Sequence, residues 1–308
     1  MPAAAITVLI IAVTVSAATQ APHENEAATA TPGIVLARGY PAGLSASPTT
    51  ADLLSALANT IRNAPTDHQT GRYTYHHLRR WILDTTGTPA PRPNTPAVFA
   101  VEIHRWEATD GSGLGIYTEP PPAYDLAGAE PDYLSTDGQF AGAPTTRTAY
   151  RAGNLSSPIV APLAIDPTAL ARQLAFAPLP DGPQSTLRAI DELYTAHYVS
   201  RPTRAAVLQV LAGVDSLSYQ PDVTDRLGRH GIGVSLDADN VAGNLRFSLV
   251  FDPDTGQLLA SSQLLVSPHR YLSVKQAAQG RDVRQSLPAG LFTYYTLFVD
   301  QGRRADLT

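Results

Sequence analysis

The chain has no cysteine. A disulfide, a thiolate metal site, a cysteine nucleophile and a diacylglyceryl-cysteine anchor are therefore all excluded. Lysine occurs once, at Lys275, while arginine and alanine are abundant, which reads as codon bias and carries no functional meaning. Charge is scarce as well: 16% of residues are charged, against ~25% in typical soluble domains. The net charge of -5 disfavours a protein that holds DNA or RNA by neutralising phosphates. What is present is apolar and turn-forming. Hydrophobic residues make up 44% of the 308, enough for a sizeable core, and 26 prolines and 22 glycines point to a loop-rich globular protein.

Residues 3–18, AAAITVLIIAVTVSAA, are uncharged and almost wholly apolar and run straight into a polar Ala/Thr/Pro-rich stretch. This run is shorter than the ~20 residues of a spanning helix and suits the core of a signal peptide. A positive n-region is missing, which predicts either a late start or an uncleaved N-terminal anchor. Both readings place residues from 20 onward outside the cytoplasm. The expected organisation is a signal peptide or membrane anchor over 1–19, a linker over 20–48 and an extracytoplasmic domain over 49–308.

Within that domain TTADLLSALANTIRNAP sets Leu53, Leu54, Leu57 and Ile61 on one helical face, with Thr50 read as N-cap and Pro65 beyond the end. Arg72 to Thr85 and AVFAVEIHRWEAT are strand-like and separated by the breaker cluster TGTPAPRPNTP, which predicts an antiparallel hairpin with a long loop. DGSG then turns into a third strand, LGIYTE. Residues 120–162 read as loops with two short strands at most. Helices follow in DPTALARQLAF, capped by Asp166 with Pro167 at the first position, in STLRAIDELYTAHY, striped by Leu187, Ile190, Leu193, Tyr194 and Tyr198, and in SRPTRAAVLQVLAG, running from a Ser200 cap to Gly213. The last third reads as hairpins closing on LFTYYTLFV. Helices placed between two β blocks predict an α+β fold, a curved antiparallel sheet, an open half-barrel, covering helices on one face.

Motifs that would name a chemistry do not emerge. Adjacent His76 and His77 must point to opposite faces of a strand, and His104, His197, His230 and His269 show no metal-binding spacing. DPDTG at Asp252 to Gly256 resembles the start of a calcium loop, but Gln263 stands where a bidentate glutamate is required, so it reads as a hairpin turn. GSGLG leads into a strand with no helix to receive a phosphate. Neither a nucleophile elbow nor an assignable carboxylate pair is present, so no catalytic residue, cofactor or metal is expected.

Aromatic patterning remains. Tyr73, Tyr75, His77, Arg79 and Trp81 share one face of the first strand, and Trp81 and Trp106 each follow an arginine. This supports two readings: cross-strand packing with arginine stems over apolar surface, or a ligand face carrying Tyr73, Tyr75, Trp81 and Trp106 that accepts an acyl chain or an extended peptide.

The order LLSALANTIRNAP, GRYTYHHLRRW, HRWEATDGSG, IDPTALARQL, and then DVTDRLGRHGIGVSL with FDPDTGQLL resembles an actinobacterial family of extracytoplasmic proteins of unknown function, over residues 50–300. The resemblance implies single-pass or secreted proteins, often encoded beside extracytoplasmic-function sigma factors, and assigns no residue a role. This chain differs in lacking a charged tail before its hydrophobic segment. More distantly, the inferred fold is similar to the periplasmic lipoprotein carriers and envelope-stress sensors, a likeness of fold only. The function expected is a non-enzymatic binding or sensing module for a lipid-like or peptide ligand or an envelope protein, with membrane contact through the N-terminal segment and no nucleic acid. A secreted hydrolase with its site in the middle segment, and a structural envelope protein without ligand, are the alternatives.

Overall fold

The computed structural model describes residues 48–65, 69–85, 96–124, 138–175, 182–240, 243–272 and 284–307. The apolar segment 3–18 and the linker after it lie outside the described residues. No helix among the described residues is long and apolar enough to cross a membrane.

The chain runs through α1 (Thr50–Asn63), β1 (Tyr73–Asp84), β2 (Ala97–Ala108), β3 (Gly113–Thr118), β4 (Thr145–Tyr150), α2 (Pro167–Leu174), α3 (Gln184–Ala196) and α4 (Arg201–Ala212). It then forms β5 (Ser218–Thr224), β6 (His230–Asn240), β7 (Gly243–Phe251), β8 (Leu258–Leu265), β9 (His269–Leu272), β10 (Arg284–Leu287) and β11 (Phe292–Arg304). The α+β class follows directly.

Thr49, not Thr50, caps α1, because only Thr49 stands three residues before an acidic side chain. Its hydroxyl accepts from the Asp52 amide while the Asp52 carboxylate accepts from the Thr49 amide, a reciprocal capping box. Thr50 is the first helical residue, and its hydroxyl donates to the Leu217 carbonyl at 3.0 Å. Asp166 caps α2 by accepting from the Ala169 amide, with Pro167 opening the helix. In α3 the stripe Leu187, Ile190, Leu193 and Tyr194 is buried, and the helix stops at Ala196, short of Tyr198.

Nine strands form one curved, unclosed sheet in the order β4-β3-β2-β1-β11-β8-β7-β6-β5, and a separate hairpin pairs β9 with β10. All the pairings are antiparallel. Two runs of consecutive hairpins, β1 to β4 and β5 to β8, are joined by β11, which lies between β1 and β8. The hairpins expected over the last third therefore do not close on themselves: their final strand, β11, pairs with β8 on one side and with β1 on the other. Turn residues specify neighbours in sequence, whereas the pairing of β1 with β11 is set by burial across the whole chain.

Side-chain alternation gives the sheet two faces. On the helix side, Ile232, Val234 and Leu236 of β6 and Leu245, Phe247, Leu249 and Phe251 of β7 are buried. They join residues of all four helices in a hydrophobic cluster that reaches from Leu54 to Phe298. Tyr194 of α3 packs its ring edge-on to Phe251 and Phe298 and donates its hydroxyl to the Gly256 carbonyl.

The turn between β7 and β8 is fastened to the helices. Asp252 accepts from the amides of Asp254 and Thr255, and the buried Arg204 of α4 donates to the carbonyls of Val199 and Thr255. Gly256 is left-handed at φ 69, and a Cβ there would stand 2.7 Å from Cδ1 of Ile61, so backbone conformation and close approach both require glycine.

Candidate functional site

The register of β1 with β2 settles how their side chains combine. Tyr75 faces Trp106, His77 faces His104, Arg79 faces Glu102 and Trp81 faces Ala100, all on the face turned away from α3. Both tryptophans therefore share that face. Six residues of strand between Tyr75 and Trp81 nevertheless correspond to roughly 20 Å, so the two indoles occupy different neighbourhoods.

Trp81 is 1% exposed, donates its indole N–H to Oε1 of Gln139 at 3.0 Å, and meets Phe140 and Tyr295 at ring-centroid distances of 6.0 and 5.8 Å. It is a packing residue beneath the segment after Gly138. At the other end Tyr75 and Trp106 lie 4.9 Å apart, with the Arg304 guanidinium over Tyr75 at 5.0 Å and Arg72 over Tyr73 at 5.2 Å. Trp106 is also largely buried, and its indole N–H has no hydrogen-bond partner among the described residues. Of the four aromatic ligand-face candidates, Tyr73 and Tyr75 retain partial exposure and the two tryptophans are packed.

Between these ends lies a polar group that sequence reasoning passed over. The His77 and His104 rings stack with centroids 4.0 Å apart. His77 Nε2 and Arg79 Nε both meet Oε1 of Glu102, at 2.9 and 2.8 Å, and the Tyr75 hydroxyl meets His104 Nδ1 at 2.8 Å. One ligand atom each of His77, Glu102 and His104 falls within 4.8 Å of the others. Burial raises the Glu102 carboxyl, but the hydrogen bonds from His77 and Arg79 outweigh it and hold the group below the usual carboxylate range. Burial, and then the neighbouring His77, hold His104 below the ordinary imidazole range. His104 stands alone in the sequence; what brings it to His77 is the strand register, across a loop too long to fix that register by turn type.

The opposite face of the same strands meets α3. Arg80 donates to Thr296 and Thr195 and lies over the Tyr294 ring, and Arg105 donates to the Thr195 carbonyl. Asp191 accepts from the hydroxyls of Ser261 and Tyr294. Burial raises the carboxyls of Glu192 and Glu107, and the neighbouring Asp191 pushes Glu192 further. Beyond this charged cluster the floor becomes apolar. Val101 and Ile103 are half-buried, and the cross-strand partners Ile82 and Phe99 are 36% and 39% exposed.

His76 also lies on this face, fully enclosed. Its Nε2 meets the His197 carbonyl at 3.3 Å, and its Nδ1 has no partner among the described residues. Burial first, and the adjacent Arg105 second, hold it well below the ordinary imidazole range, while burial lowers His197. A folded-state pKa below the unfolded value of 6.5 means that the unfolded chain binds the extra proton. The stabilisation is therefore complete above pH 6.5 and is lost as pH falls below it. Glu192 and Glu107, being raised, act with the opposite sign, in a window that begins at the ordinary carboxyl value of 4.5. Denaturation curves between pH 7.5 and 5 should show stability falling by up to ~1.4 kcal/mol per pH unit for each fully titrating histidine. His76→Leu should flatten that slope; the His197 carbonyl still accepts from Gln301 at 2.7 Å. An unchanged slope in the variant would assign the acid sensitivity elsewhere.

Compared with protein-family models, curated proteins and solved structures, the chain matches none. The functional reading therefore rests on these two faces.

Proposed function

We propose that the protein is a non-enzymatic binding or sensing module that works outside the cytoplasm, a single α+β domain held near the membrane by its N-terminal segment. On this reading it is one of the actinobacterial envelope proteins that its sequence resembles, and its ligand is a lipid-like amphiphile. The observation that carries the proposal is the exposure of Ile82 and Phe99 on the face that α3 seals over β7. Along β2 the helix-side residues run Phe99, Val101, Ile103 and Arg105, and along β1 they run Ile82 and Arg80. An acyl chain fits the apolar end, where burial is worth about 0.8 kcal/mol per CH2, and a polar head group fits the end lined by Arg80, Arg105 and Asp191.

Full-length delipidated protein should melt at a higher temperature with a lysophospholipid or fatty acid and retain it in native mass spectra. Ile82→Asp and Phe99→Asp should abolish both responses while changing basal stability by only about 0.5 kcal/mol, since both positions are partly open. A melt indifferent to acyl ligands refutes the proposal and favours a structural envelope protein. A second reading, a peptide added to the sheet edge, has its own support: the side chains of β4 are largely exposed, and its sequence TTRTAY has no proline. A response to envelope peptides that survives Phe99→Asp would favour it.

A further inference from the structure

The face turned away from α3 supports a site independent of the proposed amphiphile-binding surface. We propose that His77, Glu102 and His104 bind a divalent transition-metal ion, zinc in the first instance, with Tyr75 and Arg79 orienting the ligands.

Three features carry this. The donors are the types zinc prefers, two imidazoles and a carboxylate, and register alone brings them together: His77 stands opposite His104, and Glu102 is one diagonal step from His77. Their ligand atoms lie within 4.8 Å of one another, against the roughly 3.4 Å that Zn–N and Zn–O bonds of about 2.0–2.1 Å impose, so binding must open the His77–His104 stack, turning the two rings until their in-plane lone pairs converge on the ion. Nδ1 of His104 is engaged by the Tyr75 hydroxyl at 2.8 Å, and with the proton on Nδ1 the lone pair of Nε2 is left for the ion. This is the arrangement by which an outer hydrogen bond fixes tautomer and ring orientation in zinc sites.

Charge and access fit as well. To take the ion His77 carries its ring proton on Nδ1, which frees the Nε2 lone pair now turned to Glu102, and Arg79 remains on the carboxylate as its orienting partner. Asp300, the register partner of His77 on β11, adds a second carboxylate nearby, held by Arg304 at 2.8 Å. The side chains of His77 and Glu102 are 17% and 15% exposed, so water can reach the ion. Three protein ligands with a solvent-accessible position describe an open centre instead of a closed structural one.

The test uses full-length protein stripped with a chelator and titrated with zinc chloride against a chromophoric competitor. The expected result is saturation at about one equivalent, weakening as pH is lowered from 7.5 to 6 because protons compete for the imidazoles. His77→Ala and His104→Ala should each weaken binding by about 100-fold or more, and Tyr75→Phe by about 10-fold, the lower end of outer-partner effects. His230→Ala, which alters an exposed pair with Asp222, should change nothing. Cobalt provides a readout that needs no variant: the wild-type chain should give the intense visible bands of a four- or five-coordinate ion. If His104→Ala fails to fold by circular dichroism, His77→Gln and the cobalt spectrum decide. No saturable equivalent, a six-coordinate cobalt spectrum, or affinity that survives the loss of both imidazoles overturns the proposal.

Discussion

Trp81→Ala should destabilise the protein by about 3–5 kcal/mol, the range for emptying a large buried aromatic site. The indole is 1% exposed and packed between Phe140 and Tyr295, so its removal leaves a void walled by residues from separate parts of the chain. Incomplete collapse of that void should place the cost near the top of the range. Trp81→Phe separates two contributions: it keeps an aromatic ring but removes the N–H donated to Gln139, and should cost about 1–2 kcal/mol. Urea midpoints measured at unchanged slope read both effects. A cost below about 1 kcal/mol for the alanine variant would mean that the segment after Gly138 does not cover this face.

Arg204→Ala should cost about as much for a different reason. The side chain is buried and its guanidinium donates to the carbonyls of Val199 and Thr255, joining the start of α4 to the turn between β7 and β8. Truncation leaves carbonyls short of donors, at about 1–3 kcal/mol each, and removes the packing of the aliphatic stem. Arg204→Met retains most of the stem and should recover the packing part alone. Amide exchange across residues 252–257 should accelerate in both variants, because the turn keeps its Asp252 and Tyr194 contacts but loses its tie to the start of α4. Equal stability of the methionine variant and wild type would show that the guanidinium contributes no net stability.

The helices were legible because each carries its own signals. Asp166 followed by Pro167, and the apolar stripes of α1 and α3, are local statements that tertiary structure had no cause to override. The hairpins β1–β2, β5–β6 and β7–β8 were legible for a similar reason, since turn residues flank them. The strand β4 and the β9–β10 hairpin were not, being short and set among turn-forming residues. The position of β11 had no local signature at all. Its register on β1 slips between His77 and Leu78, a bulge that places Phe298 against Leu78 and Asp300 against His77.

The candidate site was half legible, and the same distinction explains it. Alternation placed Tyr75, His77 and Arg79 on one face, but which residues of β2 they meet depends on a pairing offset that the residues of the connecting loop do not encode. Adjacent tryptophans and arginines drew attention to Trp81, whose bulk serves packing, whereas the unremarkable His104 is where polar side chains converge. The apolar pair Ile82 and Phe99 reads as ordinary strand sequence, and only the extent of helix cover shows it to be open.

The seating of β11 between β1 and β8 has a kinetic consequence. The middle of the sheet pairs Tyr73 with Arg304 and Ile82 with Tyr294, residues more than two hundred positions apart. A polypeptide emerging amino end first, from a ribosome or through a translocation pore, must hold two unfinished half-sheets with open inner edges until Phe292–Arg304 is released. Slow closure of the sheet follows from the topology itself.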